Sequence, residues 1–235
     1  MAGIGNMAGR GAGSKSDKAD GLDNVQRLRD QGKEFFLRYD QQKSIDRFGL
    51  EHDDGFLYVD YLSDSFRVDR ETSSVDIRDE DGEWTWFKDP YSAMVIYDML
   101  CHFQDGEGDD SLSGEFCPTQ SLTSLAMASS LVKNEHRYDV LMGHTDELAS
   151  GCERLGGVLQ PQKARADITY TIPIFKWFNV IFQFWDGDEE FAPKAMFLWD
   201  RNSLSFMHFE TLYYVMSDVM TKLWPGFEEY PQRPK

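Results

Sequence analysis

What this chain of 235 residues lacks narrows its function before anything it contains. No apolar run approaches the roughly 18 residues that cross a bilayer. The opening MAGIGNMAGRGAGSKSDKADG holds no continuous apolar stretch of the kind a secretory signal carries. Cysteine is scarce: Cys101, Cys117 and Cys152 are odd in number and lie 16 and 35 residues apart. That spacing makes neither a disulfide framework nor a paired Cys-x-x-Cys metal site, so a reducing, cytoplasmic setting is expected. Positive charge is short as well. Lys and Arg total 24 against 41 Asp and Glu, a formal net charge of −17. Such a field repels phosphate backbones and anionic lipid, and no local basic patch offsets it, so neither nucleic acid nor a membrane is expected as a partner. Also missing are a Gly-x-Ser-x-Gly elbow, a Gly-x-x-x-x-Gly-Lys-Ser/Thr phosphate loop and a His-Glu-x-x-His zinc helix. The glycine-rich GIGNMAGRG follows no strand and is discounted on that ground.

What is present makes a folded core. With 41% hydrophobic and 14% aromatic residues, the chain is too apolar for a disordered polymer despite its charge. Residues 1–21 read as a disordered Gly/Ser/Lys-rich tail, 22–224 as one domain, and 225–235 as a short C-terminal tail. Leu22, Val25, Leu28, Phe35, Phe36 and Tyr39 recur with helical spacing up to about Gln42, with Gly32 as a weak point. GFLYVDYL, FRVDR, SVDIR and EWTWF follow, separated by short polar turns, and predict an antiparallel meander. Asp89 and Pro90 then open a largely apolar helix, YSAMVIYDMLCHF. A short helix is expected over 119–130. A longer one is expected over 135–155, with Tyr138, Leu141, Thr145, Leu148, Cys152 and Leu155 on one stripe and Gly156–Gly157 as its stop. Strands DITYTIPIF, WFNVIFQFW and AMFLW precede a last helix over 208–224, ended by Pro225. Strands and helices mix without βαβ alternation, which predicts an α+β fold: antiparallel sheet with helices packed on one side.

Three groups of residues carry candidate chemistry. In FQFWDGDEEFAP a strand ends in Asp186, Asp188, Glu189 and Glu190. One face of that strand, Phe178, Val180, Phe182 and Phe184, is core; the other mixes Trp177, Asn179, Ile181, Gln183 and Trp185, as a pocket wall or a covered face does. A calcium-loop reading fails, because Phe191 stands at the turn glycine and Phe197 at the bidentate acid. A looser oxygen site for Mg²⁺ or Ca²⁺ using Asp186, Asp188 and Glu190 stays open. So does a hairpin loop whose charges block strand-edge pairing while Glu189 or Glu190 caps nearby backbone. Second, Asp98 and His102 lie four apart on one helix, so the carboxylate orients the imidazole either for catalysis or merely to satisfy a buried ring. Third, Cys117, in GEFCPT, is the one thiol expected to be exposed and reactive.

The run WDGDEEFAPKAMFLWD resembles the domain-of-unknown-function family 3786, in which a Trp-x-x-Asp-Glu-Glu-Phe-Pro block precedes a strand ending in aromatic-Asp. Trp185, Asp188, Glu189, Glu190, Phe191 and Asp200 match it. LSGEF (112–116), ERLGG (153–157), TIPIF (171–175) and the final helix with Glu210 are similar in kind and order. Ala192 replaces an expected proline, Lys194 a small hydroxyl, and Phe209–Glu210–Thr211 a Thr-Glu-Asp helix start. The resemblance brings no established activity. It implies bacterial and archaeal relatives, mostly of anaerobes, some joined to iron–sulfur domains of the kind found in corrinoid and one-carbon proteins. This chain has no four-cysteine cluster motif, and its sequence names no cofactor.

Three functions are therefore expected to compete. The first is an accessory or binding domain for a small ligand, metal or protein partner, with Trp185, Asp188, Glu189, Glu190 and Glu210 at its site. The second is a metal-dependent or acid–base enzyme in which a loop carboxylate works with His102 or His208, Asp98 assisting. The third is an acidic protein-interaction subunit that docks a basic partner.

Overall fold

A computed structural model of the chain describes residues 27, 30–106, 111–123, 138–160, 166–225 and 227. The expected tail 1–21, the start of the first helix and most of the C-terminal tail lie outside the described residues.

Alternating apolar and polar positions build the meander β1 (Phe56–Tyr61), β2 (Asp64–Asp69), β3 (Val75–Arg78) and β4 (Trp84–Trp86). Leu57, Val59 and Tyr61 point into the core while Asp60 faces outward. β5 (Phe116–Pro118) and β6 (Val158–Leu159) are short additions. β7 (Ile168–Phe175), β8 (Phe178–Trp185) and β9 (Lys194–Asp200) form the second run of neighbours. The sheet order is β4-β3-β2-β1-β7-β8-β9-β5, with β6 added on β7, and every pairing is antiparallel. The two halves meet at one residue pair, Tyr61 opposite Phe175, beside a hydrogen bond from Leu62 N–H to the Ile174 carbonyl at 2.7 Å.

Among the described residues five helices complete an α+β fold: α1 (30–38), α2 (Gln41–Phe48), α3 (Pro90–Cys101), α4 (Thr145–Arg154) and α5 (Phe209–Leu223). They are linked by pairwise contacts. Phe36 of α1 packs on Tyr97 of α3, whose ring lies over Gly32, and the Ser44 hydroxyl of α2 bonds the Leu100 carbonyl of α3. α5 packs on both α3 and α4. At the second contact, a Cβ on Gly151 would stand 2.9 Å from the Leu223 carbonyl oxygen, so only glycine allows this approach. On the sheet, Phe178, Val180, Phe182 and Phe184 are fully buried, as their shared face predicts. Ile181 and Gln183 on the opposite face are buried too, while Asn179 is exposed.

Several boundaries differ from the sequence reading. The single helix expected up to Gln42 is two: the chain bends at Tyr39–Asp40, where the Asp40 carboxylate accepts Gln42 N–H and starts α2. Of the helix expected over 135–155, residues 135–137 lie outside the described residues; the described helix begins at Thr145, because Gly143 turns through a left-handed φ of 79° after a 3₁₀ turn at Asp139–Leu141. Its apolar stripe is nonetheless buried at Tyr138, Leu141, Leu148, Cys152 and Leu155. Of the helix expected over 119–130, the described part is a 3₁₀ turn at Thr119–Ser121, and 124–130 lie outside the described residues. The α3 start is as expected: the Asp89 carboxylate accepts Tyr91 N–H and the Ser92 hydroxyl.

Candidate functional site

Asp98 sits in the last turn of α3 and is 2% exposed, a costly place for a carboxylate unless its lone pairs are filled. They are filled from α5. Oδ2 accepts the His208 backbone N–H at 2.7 Å and the Thr211 hydroxyl at 2.5 Å, and Oδ1 meets His208 Nδ1 at 2.6 Å. His208 is the N-cap residue of α5 and makes no side-chain cap of its own. Asp98 therefore caps that helix from a neighbouring one, and its negative charge lies at the positive end of the α5 dipole.

His102 follows directly on α3, in the 3₁₀ turn His102–Asp105. Asp98 was expected to orient this ring; it orients His208 instead. His102 Nε2 lies 3.0 Å from the Leu204 carbonyl oxygen, and its Nδ1 is buried without a hydrogen-bond partner. The two imidazoles stand side by side, centroids 4.1 Å apart at 53°. One donor atom from each of Asp98, His102 and His208 lies within 4.8 Å of the others. Among the described residues this is the group of three or more His, Cys, Asp and Glu side chains with donors so close. His208 keeps 44% of its side chain exposed, so the centre opens to one side. The hydrogen bond to Asp98 raises its pKa above the ordinary imidazole value, and partial burial opposes the rise.

The acidic loop is built differently. Asp188 Oδ1 accepts the N–H groups of Glu190 and Phe191, each at 2.8 Å, and Asp188 N–H returns to the Phe191 carbonyl. This is a self-contained Asx turn. Asp186 accepts Gly143 N–H at 2.9 Å, Gly187 N–H at 2.8 Å and the Thr145 hydroxyl at 3.0 Å, fixing the loop that starts α4. Desolvation pushes the Asp186 carboxyl upward; these hydrogen bonds outweigh it and hold the group below its usual range. The backbone capping expected of Glu189 or Glu190 is thus done by Asp186 and Asp188. Glu189 and Glu190 are exposed, Phe191 is 69% exposed, and Lys194 lies 5.3 Å over the Trp185 ring. Among the described residues, Asp186, Asp188 and Glu190 do not form a metal-spaced group.

The loop and the histidines are not brought together. Phe206, two residues before His208, touches Phe178 at the start of β8, whereas the loop leaves Trp185 at its end. Eight extended residues separate those ends by roughly 23 Å. Glu210 stands exposed in the first turn of α5, on the histidine side. The carboxylate that meets the histidines is Asp98.

Other residues that the sequence singled out are structural. Asp200 accepts Ser113 N–H, the Ser113 hydroxyl, Gly114 N–H and Asn202 N–H, joining LSGEF to the end of β9. All three cysteines are free and buried. Cys117, expected to be reactive, is 8% exposed in β5, and burial raises its thiol pKa. The sequence reading missed His144, which packs on Trp224 at 4.6 Å beside the acidic loop, and Thr211, whose hydroxyl holds Asp98. For Thr211 the signal was its place in the first turn of a strongly patterned helix; for His144 there was none.

The family model for Domain of unknown function (DUF3786) matches residues 40–222, which include every residue of the Asp98–His102–His208 centre. The chain belongs to this family. No curated protein and no solved structure matches it.

Proposed function

We propose that the protein is a binding domain of its family and that its ligand sits at the paired histidines rather than at the acidic loop. The observation that carries this is His102 Nδ1: a buried polar atom, without a partner in the protein, beside a second imidazole in a centre open on one side. A buried acceptor left unpaired costs about 1–3 kcal/mol, which a ligand donor or cation there removes. Two features of the loop support placing the site elsewhere: Asp186 and Asp188 already bind their own backbone, and Glu189 and Glu190 face solvent. The domain reads as residues 22–224. A cytoplasmic location is supported by three free, buried thiols, and among the described residues no helix is long and apolar enough to cross a membrane. The anaerobic one-carbon or iron–sulfur setting rests on family resemblance alone.

The test is the native mass of protein isolated without oxygen from its own host. The expected result is a mass above that of the bare chain, with the excess lost in H102A and H208A and kept in D188N/E189Q/E190Q. Loss in the loop variant alone moves the site to the loop. A bare wild-type mass overturns tight binding.

A second reading, acid–base catalysis, is favoured by the Asp98–His208 contact, in which a buried carboxylate orients a partly exposed imidazole. Turnover of a hydrolysable substrate by the wild type, and its loss in H208A with the fold intact, supports it. Equal turnover in H208A removes it.

A further inference from the structure

We propose that the ligand of this centre is a divalent transition-metal ion, held by nitrogen from His102 and His208, with Asp98 as the carboxylate that fixes His208. The inference rests on the reading that the histidine pair is the binding locus, and it adds the chemistry of what binds.

The tautomers follow from the partners. A backbone carbonyl only accepts, so the His102 nitrogen 3.0 Å from Leu204 O is the one bearing hydrogen. In the neutral ring, Nδ1 is then the lone pair, and it is the atom that is buried and unpaired. His208 is constrained in the same way. The Asp98 carboxylate accepts from the His208 backbone and from the Thr211 hydroxyl, so it stands as the acceptor of this cluster. His208 Nδ1, at 2.6 Å from it, is therefore an N–H donor, which leaves Nε2 as the basic nitrogen of that ring.

Two neighbouring imidazoles thus each have one nitrogen fixed as a donor, to a carbonyl in one case and to a carboxylate in the other. Metal-ligating histidines show this pattern: the outer hydrogen bond sets the tautomer and makes the inner nitrogen a better base. One donor atom from each of Asp98, His102 and His208 lies within 4.8 Å of the others, and the two ring centroids are 4.1 Å apart. A cation held there would give His102 Nδ1 the partner that it lacks in the protein.

The ligand types choose the metal class. Imidazole nitrogen suits zinc, cobalt, nickel and copper, whereas magnesium and calcium favour all-oxygen shells. Thiolate-bound clusters are excluded here because none of the three cysteines belongs to the group. Two protein nitrogens leave coordination positions unfilled, and the exposed side of His208 is where water or a small molecule would complete the shell.

The test uses the full chain, stripped with a chelator and titrated separately with Zn²⁺ and Co²⁺. Expected are one equivalent bound by native mass spectrometry and, for Co²⁺, visible d–d absorption. H102F and H208F keep a ring in place and should each abolish stoichiometric binding while the circular dichroism spectrum is unchanged. D98N should weaken affinity by about 10–100-fold, the usual effect of losing an outer-shell partner. D188N/E189Q/E190Q should bind like the wild type. No binding to the wild type, or equal binding to H102F and H208F, overturns the metal inference. If host-isolated protein then still carries a non-metal ligand that these two variants lose, the metal inference has failed and the binding site stands. If both ions bind as expected but the host-derived ligand survives in both variants, the centre binds metal and the proposed function has failed.

Discussion

The Asp98 carboxylate of α3 holds both the backbone N–H and the imidazole of His208, 110 residues further along the chain. One buried side chain therefore sets the start of α5 and the attitude of the ring at the candidate centre. Stability and site geometry are coupled through it, and the first prediction separates them.

D98A leaves a buried helix start and an imidazole without their acceptor. Leaving those donors unpaired costs about 1–3 kcal/mol, so the urea midpoint should fall with little change in slope. D98N keeps an acceptor oxygen and should lose clearly less. Equal losses in the two variants would mean that packing volume, not the carboxylate, is what matters there.

The thiols give a second prediction. Burial pushes Cys152 up to about 12 and raises Cys101 and Cys117 as well. Thiolate is the reactive form, so the folded protein should resist iodoacetamide at pH 8 at all three positions. Unfolded in guanidinium, all three should alkylate. Rapid labelling of Cys117 in the folded state would show that β5 opens readily from β9.

Asp186 gives the pH dependence. Its folded pKa lies below the ordinary carboxylate value, so the folded state favours the ionised form. Its contribution is complete above the unfolded pKa of about 3.9 and is lost as pH falls through the depressed folded value. D186N should therefore lower the melting temperature at pH 7 and flatten its decline on acidification. A decline as steep as that of the wild type would assign the acid sensitivity to other carboxylates.

G151A tests the α4–α5 contact. The added methyl meets the Leu223 backbone, which cannot rotate away, and overpacking of this kind costs about 1–3 kcal/mol. The melting temperature should drop even though alanine is the better helix former.

Much of the fold was legible because burial imposes periodicity. The β8 face of Phe178, Val180, Phe182 and Phe184 and the buried stripe of α5 were readable directly, and both are in the core. The Tyr138–Leu155 stripe shows the limit of that reading. Its apolar residues are buried as the spacing predicts, yet the part before Thr145 is not α-helical, because a 3₁₀ turn and a bend through Gly143 present the same side chains. α2 was hidden because Asp40 interrupts a continuous helical pattern with a cap, and β5 and β6 are too short to show alternation. The centre itself was half visible. Four-residue spacing on one helix singled out Asp98 and His102, but the ring that Asp98 holds comes from an element far along the chain. Such a contact follows from packing, and no local pattern encodes it. In the acidic loop the carboxylates are conspicuous in sequence, but their partners are not: Asp188 closes a local turn, whereas Asp186 holds Gly143 and Thr145 some forty residues earlier.

The Tyr61–Phe175 rung, with the adjacent Leu62–Ile174 hydrogen bond, joins the β1–β4 meander to the β7–β9 ribbon. The meander is braced from α5 as well, by the 2.6 Å bond from the Tyr61 hydroxyl to Asp218 and by the 2.7 Å ion pair of Lys222 with Asp64. Since His208 is the N-cap residue of α5, one helix ties the seam of the sheet to the partly exposed ring of the histidine centre.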